Sequence, residues 1–132
     1  MIFGVGIDIE NHIRFEKYFK KDLNKHLDII FSQKELSNYS QFNSHLCHAI
    51  SFSGKESFLK ALGVNYNDDF IPWNNIEFFF KNHPEKEKAK IKISGIALDI
   101  FKEHNIINPP AFKYNISDSK IIFETILSCK KI

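Results

Sequence analysis

The sequence is poor in residues that mark several classes of protein. Of its 132 residues only two are cysteines, Cys47 and Cys129, which are too few for a disulfide framework and lack metal-ligand spacing. No apolar run is long enough for a transmembrane helix. The segment from Met1 to Asp8 has no basic leader and does not resemble a secretory signal. We therefore expect a cytoplasmic protein that does not enter a membrane.

Arginine is also scarce, since the chain has 17 lysines and a single arginine, Arg14. The formal net charge of +2 is too small to predict binding to nucleic acid. A guanidinium is the side chain that clamps a carboxylate or phosphate with two parallel hydrogen bonds. Any such clamp in this chain must therefore use Arg14.

Aromatic residues are plentiful, with 14 phenylalanines and 43% apolar residues overall. Disordered chains are poor in aromatic residues, so a packed core is expected. The length fits one folded unit, and we predict a single domain over residues 1–132.

The hydrophobic pattern predicts helices early in the chain and mostly antiparallel strands late in it. Ser32 followed three residues later by Glu35 is a capping box, which marks a helix start, and Gly63 is a typical helix stop. The predicted strands are 2–9, 76–80, 91–93, 111–116 and 121–127, and the other predicted helices are 12–20, 44–62 and 94–103. This order predicts an α+β fold in which a mostly antiparallel sheet packs on a long helix.

Two acidic residues lie at the end of the first predicted strand. Residues two apart on a strand point to the same face, so Asp8 and Glu10 should project together. Two neighbouring carboxylates repel unless a cation lies between them, and Mg²⁺ commonly takes one or two carboxylates plus phosphates and waters. The alternative is that Asp8 and Glu10 are simply the solvent side of an edge strand.

A second group of charged residues lies on the long predicted helix. Glu56 and Lys60 are four residues apart and share a face, where they could form an ordinary surface ion pair or part of a site. Gly54 is unusual inside a helix, because glycine costs roughly 1 kcal/mol relative to alanine there. Its presence indicates close packing or close approach of a ligand.

Taken together, these segments resemble the 4′-phosphopantetheinyl transferases, and in particular the short holo-[acyl-carrier-protein] synthases. The resemblance covers most of the chain and consists of ordered motifs. They are Gly6-x-Asp8, a basic residue at Arg14, Phe31-Ser32-x-x-Glu35, Phe52-x-x-Lys55-Glu56-Ser57-x-x-Lys60 with Ala61-Leu62-Gly63, Ile76-Glu77, and Ile91-x-Ile93-Ser94-Gly95-x-Ala97.

Some positions depart from the family pattern. Where the family has Ser-x-Ser-His on its last hairpin, this chain has Asn115-Ile116-Ser117-Asp118, so the family's histidine contact with coenzyme A is replaced. Glu10 provides an Asp-x-Glu pattern that resembles the longer, surfactin-synthetase-type transferases. The chain therefore resembles a divergent member with mixed features.

The resemblance implies transfer of 4′-phosphopantetheine from coenzyme A to a serine of an apo acyl-carrier protein, releasing 3′,5′-ADP. In that reaction Asp8 and Glu56 would bind Mg²⁺, and Glu10 is a candidate third ligand. Lys60 would contact the phosphates and stabilise the leaving group. Either Glu56 or a metal-bound water would remove the serine proton, and the sequence does not choose between them.

Three further residues receive roles from the same resemblance. Lys55 is either a coenzyme contact or a solvated neighbour of Glu56, and Ser117 is a candidate coenzyme contact on the last hairpin. Arg14 is expected to meet the acidic recognition helix of the carrier protein.

The size of the chain also bears on its assembly. Long transferases build the site between two similar halves, so a chain of half that length should share its site between protomers. Short-class relatives are typically trimers, so the resemblance implies a homotrimer. The alternative function is a degenerate, non-catalytic member that binds coenzyme A or a carrier protein.

Overall fold

A computed structural model of the chain describes residues 1–21, 27–63, 71–85 and 89–130, without the side chains of residues 18–21. The helices are α1 (His12–Lys21), α2 (Leu27–Ile30), α3 (Gln33–Tyr39), α4 (Ser44–Leu62) and α5 (Gly95–Glu103), and a 3₁₀ turn spans Trp73–Asn75. The strands are β1 (Ile2–Asn11), β2 (Ile76–Phe79), β3 (Lys90–Ile93), β4 (Ala111–Ile116) and β5 (Lys120–Ser128).

The strands form two antiparallel sheets. The larger sheet has the order β1-β5-β4, so β5 is central and β1 lies at an edge, and the smaller sheet pairs β2 with β3. The helix α4 packs along β1 and β5. The predicted α+β class, with antiparallel strands on a long helix, is confirmed.

Two glycines allow β1 to lie unusually close to α4. A Cβ atom on Gly4 would collide with the carbonyl oxygen of Ala61, and one on Gly6 with that of Ser57. The Ser57 hydroxyl donates a 2.9 Å hydrogen bond to the Gly6 carbonyl, which fixes the two elements together. Because side chains alternate along a strand, Asp8 shares the α4-facing side of β1 with these glycines.

Phenylalanine rings fill the space between the two sheets and α4. Gly54 lies where a Cβ atom would come within 2.7–2.8 Å of the Phe78 and Phe123 rings. The rings of Phe78 and Phe123 meet edge to face at 5.4 Å. Of the two explanations offered by the sequence for Gly54, close packing is therefore the correct one.

The predicted helix boundaries agree with the structure where local signals define them. Both halves of the Ser32–Glu35 capping box are present at the start of α3. At the end of α4, Gly63 adopts a left-handed φ of 71°, which is the conformation that favours glycine. The polar segment 65–75, which contains Pro72, is predicted from the sequence as a loop. Its part 65–70 lies outside the described residues, and Trp73–Asn75 forms a 3₁₀ turn.

Among the helices of the described ranges, none combines the length and apolar character that a membrane crossing requires.

Candidate functional site

Asp8 is the centre of a charged cluster between β1 and α4. It is buried, and its carboxylate accepts hydrogen bonds from the Ser53 hydroxyl at 2.9 Å and from the Lys60 ammonium at 3.0 Å. The Lys60 ammonium also donates to the carbonyl of Ile7 at 3.1 Å. Asp8 is therefore not on the solvent side of its edge strand, and that alternative is wrong for this residue.

The raised pKa of Glu10 indicates that other acidic residues lie near it. Its carboxyl is half-buried, and its pKa is raised to about 7, chiefly by this burial. Repulsion by Asp8, a hydrogen bond with Asp8 and repulsion by Glu56 contribute to the same rise in pKa, while Lys60 opposes it. Asp8 and Glu56 therefore both act electrostatically on Glu10, although 46 positions separate Glu10 from Glu56 along the chain.

The cluster suits a hard divalent cation. Three carboxylates with one nearby ammonium carry an excess of negative charge, which a bound cation would relieve. In residues 1–21, 27–63, 71–85 and 89–130, no group of three His, Cys, Asp or Glu side chains is placed so that all three could hold one metal ion. Mg²⁺ does not require three such ligands, because it usually keeps several waters and takes one or two carboxylates plus substrate phosphates. The donor set therefore fits Mg²⁺ completed by a phosphate ligand.

Lys60 lies at the exposed rim of this cluster. Its side chain is 51% exposed, while the Asp8 side chain is 8% exposed. The sequence offered an ordinary surface ion pair between Glu56 and Lys60 or a place in a site, and the ammonium of Lys60 contacts Asp8, which places Lys60 in the cluster. A half-exposed ammonium can move from Asp8 to an incoming phosphate without first being taken out of a closed core.

Lys55 occupies a different place from its neighbour Glu56. Its side chain is 0% exposed and forms a 2.7 Å ion pair with Glu35, whose side chain is also 0% exposed. Burial lowers the pKa of Lys55, and the adjacent Glu35 opposes that shift. The interpretation of Lys55 as a solvated neighbour is therefore wrong, and its coenzyme contact stays a prediction.

The remaining predicted residues lie around the Glu10 end of the larger sheet. Arg14 is exposed in the first turn of α1, where the Asn11 side chain caps its backbone N–H at 2.9 Å. Ser117 is exposed in the turn between β4 and β5, and the N–H of His12 donates to Ser119 in the same turn at 2.9 Å. The fold thus brings Arg14 and Ser117 to the strand end that carries Glu10, and their roles stay predictions.

Two residues at the site received no role from the sequence. Ser53 binds the Asp8 carboxylate, and the Trp73 ring stacks on the Phe52 ring at 5.6 Å with an interplanar angle of 22°. The crowding of serines at Ser51, Ser53 and Ser57, which lowers helix propensity, was the available signal for Ser53.

Comparisons with known proteins give the family. The model of the 4′-phosphopantetheinyl transferase superfamily matches residues 4–113. A curated relative, holo-[acyl-carrier-protein] synthase from Geobacter sp. (strain M21), is 34% identical over 104 residues, which cover 78% of this chain and 80% of the relative.

Solved structures share the fold over nearly the whole chain. Holo-ACP-synthase from Plasmodium yoelii superposes with a TM-score of 0.78 at 20% identity, covering 99% of this chain and 98% of that one. A holo-(acyl-carrier-protein) synthase from Bacillus anthracis, solved in complex with CoA (3′,5′-ADP), gives a TM-score of 0.72 at 21% identity, covering 98% and 99%.

The family assignment rests on two findings. The family model matches most of the chain, and a curated enzyme is similar over most of both chains. They favour the enzymatic interpretation over the non-catalytic alternative. The chain belongs to the 4′-phosphopantetheinyl transferase superfamily, as an enzyme of the holo-[acyl-carrier-protein] synthase class.

Proposed function

We propose that this enzyme transfers 4′-phosphopantetheine from coenzyme A to a serine hydroxyl of an apo acyl-carrier protein and releases 3′,5′-ADP in a Mg²⁺-dependent reaction. The observation that carries the proposal is the cluster of Asp8, Glu10, Glu56 and Lys60 between β1 and α4. Its excess of carboxylates beside a half-exposed ammonium suits a metal-bound pyrophosphate.

The bond changes assign a role to each of these groups. The serine oxygen forms a bond to the β-phosphorus of coenzyme A, and the bond from that phosphorus to the bridging oxygen breaks. The electron pair leaves with 3′,5′-ADP, and the serine proton passes to a base, for which Glu56 is the candidate on this chain. A Mg²⁺ ion held by Asp8 and Glu56, with Glu10 as candidate third ligand, would neutralise the charge that develops on the phosphates.

Lys60 would act on the same charge from the rim of the cluster. Its half-exposed ammonium would contact the phosphates as negative charge grows on the leaving oxygen. Ser53 would keep Asp8 in position through its 2.9 Å hydrogen bond. Ser117, in the turn at the same end of the sheet, would contact the coenzyme.

Intact mass spectrometry tests the proposed reaction directly. Incubation with coenzyme A, Mg²⁺ and an apo acyl-carrier protein should add the mass of one phosphopantetheine group to the carrier. The same mixture with a carrier whose acceptor serine is changed to alanine should show no addition. An unmodified wild-type carrier would overturn the proposed function.

The state of the cysteines supports a cytoplasmic location as part of this proposal. Cys47 and Cys129 are both free thiols, as is usual in reducing compartments.

The exposed face of the larger sheet supports a homo-oligomer, which we propose to be a trimer. Val5 pairs with Ile126 and Ile9 with Ile122 across β1 and β5. These four side chains are between 38% and 59% exposed, so they form a continuous apolar patch. Patches of this kind mark protein contacts.

Replacing Ile7, which lies between Val5 and Ile9 on this exposed face, should dissociate the oligomer. Ile7→Glu places a charge in the patch, and we expect light scattering to show a shift from trimer to monomer together with loss of activity. Ile29→Glu is the matched control, since Ile29 is exposed on α2, outside the sheet. A wild-type protein that is monomeric and fully active at micromolar concentration would remove the argument for a shared site.

Arg14 is expected to govern recognition of the carrier protein. Arg14→Ala should raise the carrier KM, and this penalty should shrink as salt screens the attraction, because exposed charges act over about 10 Å at 0.1 M salt. The affinity for coenzyme A, measured by calorimetry, should stay unchanged. Lys34→Ala, which removes an exposed cation on α3, is the control.

An unchanged carrier KM for Arg14→Ala at low salt would contradict this role. The carrier would then dock elsewhere on α1, for instance at Lys17, Lys20 and Lys21.

A further inference from the structure

Lys55 is saturated with hydrogen bonds inside the protein. Its ammonium donates to the Glu35 carboxylate at 2.7 Å, to the carbonyl of Ile30 at 2.9 Å and to the carbonyl of Trp73 at 3.1 Å. An ammonium has three N–H donors, and these three acceptors account for all of them. A side chain in this state joins α4 to the end of α2, to α3 and to the 3₁₀ turn at Trp73–Asn75.

Both carboxylate oxygens of Glu35 also accept hydrogen bonds inside the protein. The oxygen that does not face Lys55 accepts from the Tyr39 hydroxyl at 2.7 Å, from the backbone N–H of Phe78 at 3.0 Å and from the Ser51 hydroxyl at 3.2 Å. Its other oxygen also accepts from the backbone N–H of Ser32 at 3.1 Å, in the capping box of α3. Glu35 is completely buried, so it has no surface with which to touch a substrate.

The carbonyl of Trp73 connects this buried pair to the candidate site. The Trp73 ring stacks on the Phe52 ring, and the Phe52 ring lies 5.2 Å from that of Phe15 on α1. Phe52, Glu56 and Lys60 succeed one another at intervals of four residues on α4, so they share one face of that helix. Movement of Trp73 would therefore alter the wall beside the carboxylate cluster.

We infer that Lys55 is a positioning residue: through its buried pair with Glu35 it holds Trp73 against the face of α4 that carries Phe52, Glu56 and Lys60. The effect on turnover rests on the proposed function, whereas the effect on Trp73 does not. Lys55 in this role touches neither the coenzyme nor the carrier protein.

Trp73 provides a direct readout, because it is the only tryptophan in the chain. Lys55→Met and Glu35→Gln should each shift the Trp73 emission to longer wavelength and raise its acrylamide quenching constant about two-fold or more. The double variant removes both buried charges together and should keep the fold even if a single variant does not, because a neutral replacement leaves no charge unpaired. It should show the same emission change.

Lys60→Met is the matched control. It removes an ammonium from the same helix, but one that is half exposed and contacts Asp8. Its Trp73 emission and quenching should equal those of the wild type, while circular dichroism should show native secondary structure in Lys60→Met and in the double variant.

Kinetic measurements provide a second test of the positioning role of Lys55. Lys55→Met and Glu35→Gln should each lower kcat/KM for coenzyme A by about ten-fold to a hundred-fold, and the double variant should lose no more than the worse single variant. Residues that act as one unit show this lack of additivity. A wild-type enzyme that modifies no carrier would count against the proposed function and leave the fluorescence result standing.

Two outcomes would overturn the inference. One is unchanged Trp73 emission and quenching in the folded double variant. The other is a Lys55→Met variant with native Trp73 emission and greatly weakened coenzyme A binding in calorimetry, which Glu35→Gln does not reproduce. That second result would assign Lys55 to the coenzyme contact that the sequence resemblance implies.

Discussion

Asp8→Asn and Glu56→Gln are each expected to remove nearly all transferase activity while leaving the protein folded. A metal ion contributes several kcal/mol to charge stabilisation in the transition state, and a loss of 3–4 kcal/mol corresponds to roughly 10²–10³ in rate. Asn and Gln keep the size and one oxygen of each side chain but lose its negative charge. Turnover measured by intact mass over a range of Mg²⁺ concentrations should show both the loss and a weaker metal dependence.

Asp8→Asn should change the stability of the protein much less than its activity. The substitution removes an ion pair with Lys60 that is half exposed, and such pairs contribute at most about 1 kcal/mol. It also removes the repulsion that raises the pKa of Glu10. The free energy of unfolding should therefore change by about 1 kcal/mol or less, as measured in urea.

Exposed acids on α5 provide matched controls. Asp99→Asn and Glu103→Gln make the same chemical changes away from the cluster, and both should leave activity unchanged. If the Asp8→Asn variant shows the same dependence on Mg²⁺ as the wild type, the proposed ligand role of Asp8 is contradicted. A structure with bound Mg²⁺ and coenzyme A in which the Asp8 and Glu56 carboxylates lie more than about 10 Å apart would also contradict it, because Mg²⁺ ligands lie at about 2.0–2.1 Å.

Lys60→Ala should reduce turnover far more than it weakens coenzyme A binding. An ammonium aimed at charge that develops only in the transition state acts mainly on kcat, and removing one such donor typically costs about 10²–10³ in kcat. We therefore expect equal losses in kcat and in kcat/KM, with calorimetry showing a nearly unchanged dissociation constant for coenzyme A.

A lysine from another surface ion pair controls for the loss of charge. Lys113 pairs with Glu124 at 3.2 Å on the larger sheet, and Lys113→Ala should retain full turnover. If Lys60→Ala instead raises KM with kcat unchanged, Lys60 serves ground-state binding of the phosphates and not the chemical step.

The parts of the fold that depend on short sequence separations could be predicted. The Ser32–Glu35 capping box and the stop at Gly63 join groups within a few residues, so their chemistry is visible in the sequence. The strand pattern of β1 also showed that Asp8 and Glu10 share a face. The family motifs then associated those acids with Glu56 and Lys60.

The environment of each charged residue could not be predicted in the same way. Lys55 and Glu56 are neighbours in one motif. Lys55, however, is fully buried in a pair with Glu35, whereas Glu56 acts electrostatically on Glu10 of β1. Adjacent residues on a helix point about 100° apart, so they meet different elements once the helix is packed. The pairing of Lys55 with Glu35 spans 20 residues and exists only because α3 packs against α4.

By itself the sequence therefore determined the elements, the family motifs and the residues that share a face, because these follow from local geometry and spacing. The tertiary structure decided which face of β1 is covered. Gly4 and Gly6 let α4 approach that side, which buries Asp8 and leaves the apolar Val5, Ile7 and Ile9 exposed. Alternation in a strand assigns residues to two faces, and only the packing of another element selects the face that becomes the interior.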